Sequence, residues 1–421
     1  MGRLLYELGR MDEKKRIANE RASDKIGKGS FSWAWELDGT NEERERGVTM
    51  DIASQSLSTP RRNITILDAP GHKDFIPNMI SGATQADCAL LVVDASTGEF
   101  EAGFDKGGQT REHLVLVRSL GVTQVIIVVN KLDQVRNDKD RYDEICELLR
   151  PFLLQSGFAT SKTSFAPAVA ISGVNLVTRP KSNEPLGQWY AGPTLLDLLD
   201  TLDPPIRAIT APLRFPISNV FKGQTSGIGV SGRVSSGVLQ VGERLRVLPG
   251  DESAVVKSIE YNEGVVPWAA AGSNVTLYLT LIDPIHLDIG SVLCPPGDLV
   301  PLAMSFTARI MTFDIQAPLI GGASVELYHH SRNVPATIRL IAIRDRVTGA
   351  ATKTSPRMLQ KSTSADVQVT LRTSSMSGPS ARAQPIPIEP FAVNKDMGRV
   401  LLRRGGETIA AGIVLDVNTS V

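Results

Sequence analysis

Asp68-Ala69-Pro70-Gly71-His72 comes directly after the apolar run Ile64-Thr65-Ile66-Leu67, a pattern that predicts a buried strand ending in a sharp turn. Asp68 would then lie at the carboxyl end of its strand, where open α/β sheets bind ligands. A carboxylate there suits a Mg²⁺ ion that keeps most of its water, and Gly71 lets the backbone approach a phosphate closely. His72 is placed to orient a water molecule. The pentapeptide therefore predicts a magnesium and phosphate site, with an ordinary strand and turn as the alternative.

Two further polar segments follow apolar runs later in the chain. Asn130-Lys131-Leu132-Asp133 comes after Val125–Val129, and Ser172-Gly173 comes after Ala168–Ile171. Three fixed residues, each at ~5% usage, match by chance at about one position in 10⁴. Three such segments at predicted strand ends, in this order, are much less expected by chance than any one of them alone.

The chemistry of these segments fits guanine. The carboxylate of Asp133 can accept hydrogen bonds from N1–H and from the exocyclic amine of guanine, and adenine has the wrong donor pattern for it. Asn130 can donate to the N7 side of the base, and the stem of Lys131 can lie along the ring. The backbone after Ser172, at Gly173, can donate to the guanine O6. The sequence therefore predicts a guanine pocket.

The motifs DAPGH (68–72), NKLD (130–133) and ISG (171–173) resemble those of translational GTPases, and Glu45-Arg46-Gly47-Val48-Thr49 resembles their first switch. Within that superfamily the chain most resembles the HBS-type ribosome-rescue GTPase, the partner of Pelota. Elongation factor Tu/one-alpha and the eukaryotic release-factor GTPase share most of these motifs, so both types stay open as alternatives. Further segments that carry the resemblance are residues 31–35, 42–49, 94–100, 107–113 and 405–412.

The resemblance implies an enzyme that binds GTP with Mg²⁺ and hydrolyses it. Thr49 and Asp68 would serve Mg²⁺, and Gly71 would lie against the phosphates. His72 would be the catalytic residue that orients the attacking water, so hydrolysis would rest on positioning and electrostatics. The resemblance also implies that the factor delivers a Pelota-type protein, which mimics tRNA, to stalled ribosomes in the cytoplasm.

The pattern of apolar runs and strand-like segments divides the chain into three predicted domains. Up to residue 206, apolar runs alternate with helical patterns, which predicts a doubly wound, mostly parallel α/β sheet. The linker Thr201–Ile206 contains two adjacent prolines, and short Val- and Gly-rich strands follow it. We expect a GTPase domain over residues 1–206, and the resemblance implies β-barrels over residues 207–299 and 300–421.

The phosphate-binding loop of such a domain, GxxxxGK[ST] between a first strand and a first helix, has no match at the start of this sequence. Met1–Lys28 instead predicts helix, and it begins at residues like those that follow the loop in relatives. Losing about four hydrogen bonds to phosphates would remove roughly 6–12 kcal/mol, or on the order of 10⁴ or more in affinity. Two strands would also face a gap. We therefore expect either a fragment of a longer protein or a nucleotide-free relative.

Composition narrows the class of protein. The 421 residues have a formal net charge of zero, so a ribosome would be met by local patches, and we expect neither DNA nor a membrane as partner. The three cysteines lie far apart, which fits neither a disulfide framework nor a zinc site and agrees with a reducing cytosol. His329-His330 would point to opposite faces of a strand, so we expect no metal there.

A function of a different class also stays open. A non-hydrolysing adaptor could keep the two barrels for partner binding, and the missing loop favours it. The intact NKLD, ISG and His72 oppose it, because a protein freed from GTP has no need of a guanine pocket. Delivery of aminoacyl-tRNA is a third interpretation.

Overall fold

The computed structural model describes residues 1–25, 27, 32–37, 41–46, 49–105, 108–222, 227–262, 264–373 and 383–418. The chain forms two units, Met1–Pro205 and Ile206–Val421, each of which is described by itself. Gly47 and Val48 of the predicted first switch lie outside the described residues.

Helices and short strands alternate along the first unit, which confirms the predicted α/β class. The described strands are β1 Ala53–Ser58, β2 Asn63–Asp68, β3 Cys88–Asp94, β4 Gln124–Asn130 and β5 Thr163–Pro167. The described α-helices are α1 Gly2–Glu7, α2 Glu13–Lys25, α3 Asn41–Arg46, α4 Ile76–Ala83, α5 Glu99–Phe104, α6 Gln109–Ser119, α7 Lys139–Gln155 and α8 Leu195–Asp200.

Strands β3, β4 and β5 form a parallel sheet in which Asp94 pairs with Asn130. The centre of β4, Val125–Val129, is fully buried, as expected for a parallel strand covered on both faces. Ile127 belongs to the cluster that contains Leu149 of α7, and its neighbours on β4 face a second cluster that contains α8. This packing holds the carboxyl end of β4 in a fixed position.

The other two strands, β1 and β2, form a separate antiparallel pair in which Ala53 is opposite Asp68. Among the described residues, no strand pairs with the second edge of β2 or with the edge of β3 that faces away from β4. The sheet is therefore interrupted between β2 and β3, as predicted. Its two pieces still share one apolar cluster, which contains Leu57 of β1, Ile126 of β4 and Leu4 of α1.

The interruption changes the burial of the strands beside it. The sequence predicts buried strands over Ile64–Leu67 and Cys88–Val93, but the residues of β2 are at most half-buried and Val92 of β3 is 51% exposed. Within the described part of the chain each of these strands has a single neighbour, so side chains that a continuous sheet would cover remain in contact with solvent.

Two other predictions need correction. The helix predicted over residues 1–28 is broken between α1 and α2, because Gly9 has φ of +69° and the carboxylate of Asp12 then accepts the N–H of Lys15 at 2.7 Å. Residues 26 and 28 lie outside the described residues. The run Ala168–Ile171 is not a strand. Strand β5 ends at Pro167, and the chain then turns back, so that Val169 pairs with Val174 in an isolated bridge.

The second unit begins with a closed barrel of six strands, because β9 pairs with both β10 and β14. An eighteen-residue apolar cluster with Phe215 and Leu277 fills it. The described strands of this part are β6 Phe215–Lys222, β7 Ile228–Arg233, β8 Val238–Gln240, β9 Arg244–Leu248, β10 Glu252–Tyr261, β11 Gly264–Val266, β12 Trp268–Ala270, β13 Asn274–Thr280 and β14 Val292–Cys294.

A second six-stranded barrel follows and closes through the pairing of β18 with β19. Phe306 and Ile338 are among its buried core residues. The described strands are β15 Leu302–Ala303, β16 Ser305–Thr312, β17 Leu319–Ile320, β18 Ser324–His329, β19 Arg332–Arg344, β20 Ala351–Thr354, β21 Met358–Leu359, β22 Ser364–Leu371, β23 Ile386–Pro387, β24 Arg399–Arg404 and β25 Glu407–Asn418. The predicted fold class, an α/β domain followed by two β-barrels, is confirmed.

Polar and apolar contacts join the two barrels. Arg214 of the first barrel is buried and donates to Oε1 of Glu389, from Nε at 3.0 Å and from Nη2 at 2.8 Å. Nη2 also donates to Oδ1 of Asp298 at 2.7 Å. Beside these charges Cys294 packs with Met397 in a small apolar cluster. The barrels therefore share a buried junction.

The described residues lack two features. They contain no helix that is both long and apolar enough to cross a membrane. They also contain no group of three or more His, Cys, Asp or Glu side chains placed to hold a metal ion. The three cysteines, which all lie in the described part of the chain, are free.

Candidate nucleotide site

The predicted pentapeptide lies at the end of β2, as expected. Asp68 is the last residue of the strand and is half-buried. Pro70 is buried, whereas Gly71 is exposed, and a Cβ built on Gly71 would meet no atom within 4 Å. The α-amino group of Met1 is close enough to interact with Asp68, and burial lowers the pKa of that amino group against the attraction of the carboxylate.

His72 begins a short turn that leads into α4. The backbone N–H of Asp74 donates to Nδ1 of His72 at 3.2 Å, so the neutral ring carries its proton on Nε2. The ring lies 6.1 Å from that of Phe75, and the side chain is 41% exposed. Within the described residues Nε2 makes no hydrogen bond, which leaves an N–H donor that can face a water molecule.

The end of the predicted first switch is tied to α4. The amide Nδ2 of Asn78 donates to the carbonyl of Met50 at 2.7 Å. The buried carboxylate of Glu43 accepts the backbone N–H groups of Met50 at 2.9 Å and of Asp51 at 3.1 Å. Thr49, the predicted Mg²⁺ ligand, is half-buried and precedes this junction by one residue.

The predicted guanine residues lie at the end of β4. Asn130 is the last residue of that strand, and its Oδ1 accepts the N–H of Ala170 at 3.0 Å. The carbonyl of Asn130 accepts the N–H of Ala95 at 2.9 Å. Since Oδ1 is occupied, the amide of Asn130 turns its Nδ2 donor outward. This side chain therefore joins the NKLD segment to the loop that contains Ser172.

Lys131 and Asp133 are held by the backbone that follows β4. Lys131 has φ of +59°, and its Nζ lies 2.6 Å from Oδ2 of Asp94, so its side chain extends toward the neighbouring strand. Asp133 is exposed, and its Oδ2 accepts the side-chain amide of Gln134 at 2.9 Å. The Asp133 carboxylate is thus open to a base that would offer two N–H donors.

Ser172 and Gly173 form a tight turn beside α1. Gly173 has φ of +82°, and a Cβ there would lie 2.7 Å from Oε1 of Glu7 and 3.1 Å from Nε of Arg3. Arg3 donates to the carbonyl of Ser172 at 3.3 Å. The N–H of Gly173, the expected O6 donor, makes a long 3.3 Å hydrogen bond to the carbonyl of Ala170. This positive φ favours glycine over any residue with a Cβ.

Two residues of the site were not predicted from the sequence. Asp94 holds Lys131; burial alone would raise the pKa of Asp94, but hydrogen bonds from Lys131 and Ser96 outweigh burial and lower it. Arg141 of α7 donates to the carbonyl of Ala95 at 3.0 Å and forms an ion pair with Glu101 at 2.8 Å. Asp94 ends an apolar run and could have been found by that signal, whereas Arg141 is one of several charged residues on its helix and gives no signal.

The predicted residues fit the groups that they would hold. The Thr49 hydroxyl and the Asp68 carboxylate are oxygen donors, which Mg²⁺ prefers, and Mg²⁺ commonly takes one or two carboxylates beside phosphates and water. Asn130, Asp133 and Gly173 present a donor, an acceptor and a backbone N–H around one strand end, which fits guanine. The two sets stand at the ends of β2 and β4, in the two separate pieces of the sheet.

Comparison with known proteins identifies the family. The family described as Elongation factor Tu GTP binding domain matches residues 1–205, and the one described as GTP-eEF1A C-terminal domain-like matches residues 305–415. Elongation factor 1-alpha of Pyrobaculum aerophilum is 39% identical over 418 residues, which cover 99% of this chain and 91% of that protein. The chain belongs to the elongation factor Tu/1-alpha family of translational GTPases.

Within this family the predicted resemblance to the HBS type is confirmed. Protein HBS1 of Drosophila melanogaster is 45% identical over 419 residues, or 99% of this chain. The chain spans 61% of the length of that protein. An elongation factor 1 alpha-like protein of Schizosaccharomyces pombe is 39% identical over 423 residues and is covered to 67%.

Solved structures support the fold of this translational GTPase family. The GTPase-like domain of Ski7 from S. cerevisiae, bound to GTP, has a TM-score of 0.79 at 18% identity, and the match covers 98% of this chain and 93% of that one. The elongation factor SelB of Methanococcus maripaludis, in complex with a GTP analogue, has a TM-score of 0.65 at 22% identity, with 88% and 74% covered. At these identities the likeness concerns the fold alone.

Proposed function

We propose that this translational GTPase family member binds and hydrolyses GTP and acts with a Pelota-type partner in the rescue of stalled ribosomes. The observation that carries the proposal is the hydrogen bond from the N–H of Ala170 to Asn130, which brings NKLD and the Ser172 turn together at one strand end. The 45% identity with Protein HBS1 supports the rescue branch over the elongation and release branches.

In this proposal the guanine base lies between the carboxyl end of β4 and the turn that contains Ser172. Asp133 accepts hydrogen bonds from N1–H and the exocyclic amine, and Asn130 donates from Nδ2 to N7. The N–H of Gly173 exchanges its long hydrogen bond to Ala170 for one to O6. The Lys131 stem lies beside the ring while its ammonium stays on Asp94. Of these four contacts, those to N1–H, the exocyclic amine and O6 select guanine over adenine, because both bases carry the N7 acceptor.

In the same proposal Asp68 and Thr49 hold Mg²⁺, and Gly71 keeps the turn open to the phosphates. When bound, Mg²⁺ neutralises charge on the phosphate oxygens. His72, whose Nε2 carries the proton, orients the attacking water in line with the γ-phosphate, and the ribosome would bring its exposed side chain into place. Hydrolysis then rests on positioning and electrostatics rather than on covalent chemistry.

In this proposal the gap between β2 and β3 is the place of a strand that leads into a phosphate-binding loop. We propose to add an upstream strand with a GxxxxGK[ST] loop to the chain. The extended chain should bind GTP saturably and in preference to ATP, and the same extension with the loop Lys changed to Ala should bind at least about 10²-fold more weakly. If the extended chain folds but shows no saturable GTP binding, the guanine-pocket assignment is wrong.

The proposal extends to domains and partners. The domain bounds are 1–206 for the GTPase domain, 207–299 for the first barrel and 300–421 for the second. The ribosome and a Pelota-type protein are the partners, and the cytoplasm is the location. A competition experiment tests the branch: purified Pelota should bind the extended chain with GTP, and aminoacyl-tRNA should not displace it. Displacement by aminoacyl-tRNA would favour an elongation-type factor.

A nucleotide-free adaptor that binds partners through its barrels is the alternative that the missing loop motif leaves open. In that case the chain without any extension should bind Pelota through the barrels with the same affinity in the presence and absence of GTP. GTP-dependent binding by the extended chain would exclude the adaptor.

A further inference from the structure

The backbone of Met50 lies between the end of the predicted first switch and α4, the helix that follows His72. We define the first-switch segment as residues 41–51 and the second-switch segment as residues 73–83. The first begins with α3 and the second contains α4, and Gly47 and Val48 of the first lie outside the described residues. The N–H of Met50 is bound by Glu43 of the first segment, and its carbonyl is bound by Asn78 of the second.

The three contacts at Met50 are short and sheltered. Glu43 is 4% exposed, and its Oε1 accepts two successive backbone N–H groups, at 2.9 Å from Met50 and at 3.1 Å from Asp51. Such hydrogen bonds to a carboxylate are about twice as strong as neutral ones. The Asn78 amide donates to the Met50 carbonyl at 2.7 Å. One peptide plane is therefore held from both sides.

Both partners of Met50 are themselves fixed. Next to Glu43, Arg44 donates to the carbonyl of Trp35 at 3.2 Å and lies over its ring at 5.2 Å, which anchors α3. Asn78 lies in the first turn of α4, and that helix packs on the start of β1: a Cβ on Gly82 would lie 3.5 Å from Cδ1 of Ile52. A displacement of α3 or of α4 would therefore displace the peptide unit between Met50 and Asp51.

We propose that Met50 is the joint through which the two switch segments move together, with Glu43 and Asn78 as its positioning residues. Thr49 is one residue from the joint, and His72 precedes the segment that carries Asn78. The hydrogen bonds at Met50 therefore connect the segment that ends near Thr49 with the segment that follows His72. Its use in a GTP cycle rests on the proposed function, whereas the joint itself is a property of the chain without nucleotide.

Backbone amide exchange of the 421-residue chain tests the joint directly. Asn78→Ala lies in the second segment but should raise exchange at Asp51, and through it at Met50, by about tenfold, because it removes the hydrogen bond to the Met50 carbonyl, which shares a peptide unit with the Asp51 N–H. Glu43→Ala lies in the first segment; it should raise exchange at these two amides by about a hundredfold and should also raise exchange in α4 several-fold. Such reciprocal effects are required if the segments are coupled.

Matched variants separate coupling from local loosening. Gln85 donates to the carbonyl of Ser81 at 3.0 Å beside α4 and does not touch Met50, so Gln85→Ala should leave Met50 and Asp51 at wild-type rates. Glu43→Gln retains an oxygen acceptor and should have a smaller effect than Glu43→Ala. Asn78→Asp removes the donor at nearly constant volume and should match Asn78→Ala.

The proposal about Met50 is wrong if Asn78→Ala and Asn78→Asp both leave amide exchange at Met50 and Asp51 unchanged. It is also wrong if Gln85→Ala raises exchange at these two amides as much as Asn78→Ala does. It is also wrong if Glu43→Ala leaves α4 unchanged. These outcomes are independent of GTP binding by the extended chain, so failure of the joint and failure of the proposed function can be distinguished.

Discussion

Removing one partner of the buried charge cluster between the barrels should destabilise the second unit strongly. The guanidinium of Arg214 has a side-chain exposure of 5%, and it donates twice to Glu389 and once to the carboxylate of Asp298. Burial alone would lower the pKa of Arg214, but hydrogen bonds with Glu389 and Asp298 outweigh burial and raise it. The group therefore stays charged, and Glu389→Ala would leave it buried without its two hydrogen bonds to Glu389.

The structure sets the magnitude. Breaking a buried ion pair costs about 3–5 kcal/mol in unfolding free energy. The Asp298 side chain is 51% exposed and keeps its 2.7 Å hydrogen bond to Arg214, so the lower end applies and we expect about 3 kcal/mol. For a unit of this size that corresponds to a fall in Tm of about 6–12 °C. A double variant, Arg214→Met with Glu389→Met, removes both charges and should recover most of the loss.

Scanning calorimetry of the variants, with hydrogen exchange to assign the transition to residues 206–421, measures this loss. Asp314→Ala is the matched control, because it removes a carboxylate from an ion pair with Lys361 in which both side chains are more than half exposed. We expect that control to change the unfolding free energy by less than about 1 kcal/mol. If Glu389→Ala costs no more than Asp314→Ala, the barrel junction does not depend on the buried charges and the argument fails.

Three further predictions concern stability and base selection. Burial lowers the pKa of His329 to about 3 and of His330 to about 4, so the stability that the two side chains contribute is present above about pH 6.5 and is lost as the pH falls below it. Calorimetry at pH 7.5 and at pH 5.5 should show a loss of unfolding free energy of up to about 3 kcal/mol. A His329→Gln/His330→Gln variant that keeps the full loss would contradict this. Gly173→Ala should lower Tm more than Gly98→Ala, because both have positive φ but a Cβ meets Glu7 only at Gly173; equal shifts would refute the crowding argument. In the extended chain Asp133→Asn should weaken GTP binding by at least tenfold and improve binding of xanthosine triphosphate, since an amide donates where the carboxylate accepts; unchanged selectivity would remove Asp133 from the base site.

The sequence was most informative where a short motif carries the chemistry. Asp133 and Asn130 could be proposed as base-binding residues because a carboxylate and an amide after an apolar run fit one base, and β4 ends at Asn130, as predicted. The predicted run before Ser172 was misassigned, because apolar residues in a turn give the same signal as those in a strand. The partner of Lys131 could not be predicted, since Asp94 is brought close by parallel pairing of β3 with β4.

The sequence by itself determined the family, the α/β-then-barrel order and the residue types of the proposed guanine pocket, because those depend on local motifs and on hydrophobic periodicity. Only the tertiary structure decided how the pieces are joined. The division of the sheet between β2 and β3, the buried Arg214 cluster and the Met50 joint each bring together residues that are far apart in the chain. Such contacts are selected by packing and by the need to satisfy buried polar groups, and neither requirement is visible in a local stretch of sequence.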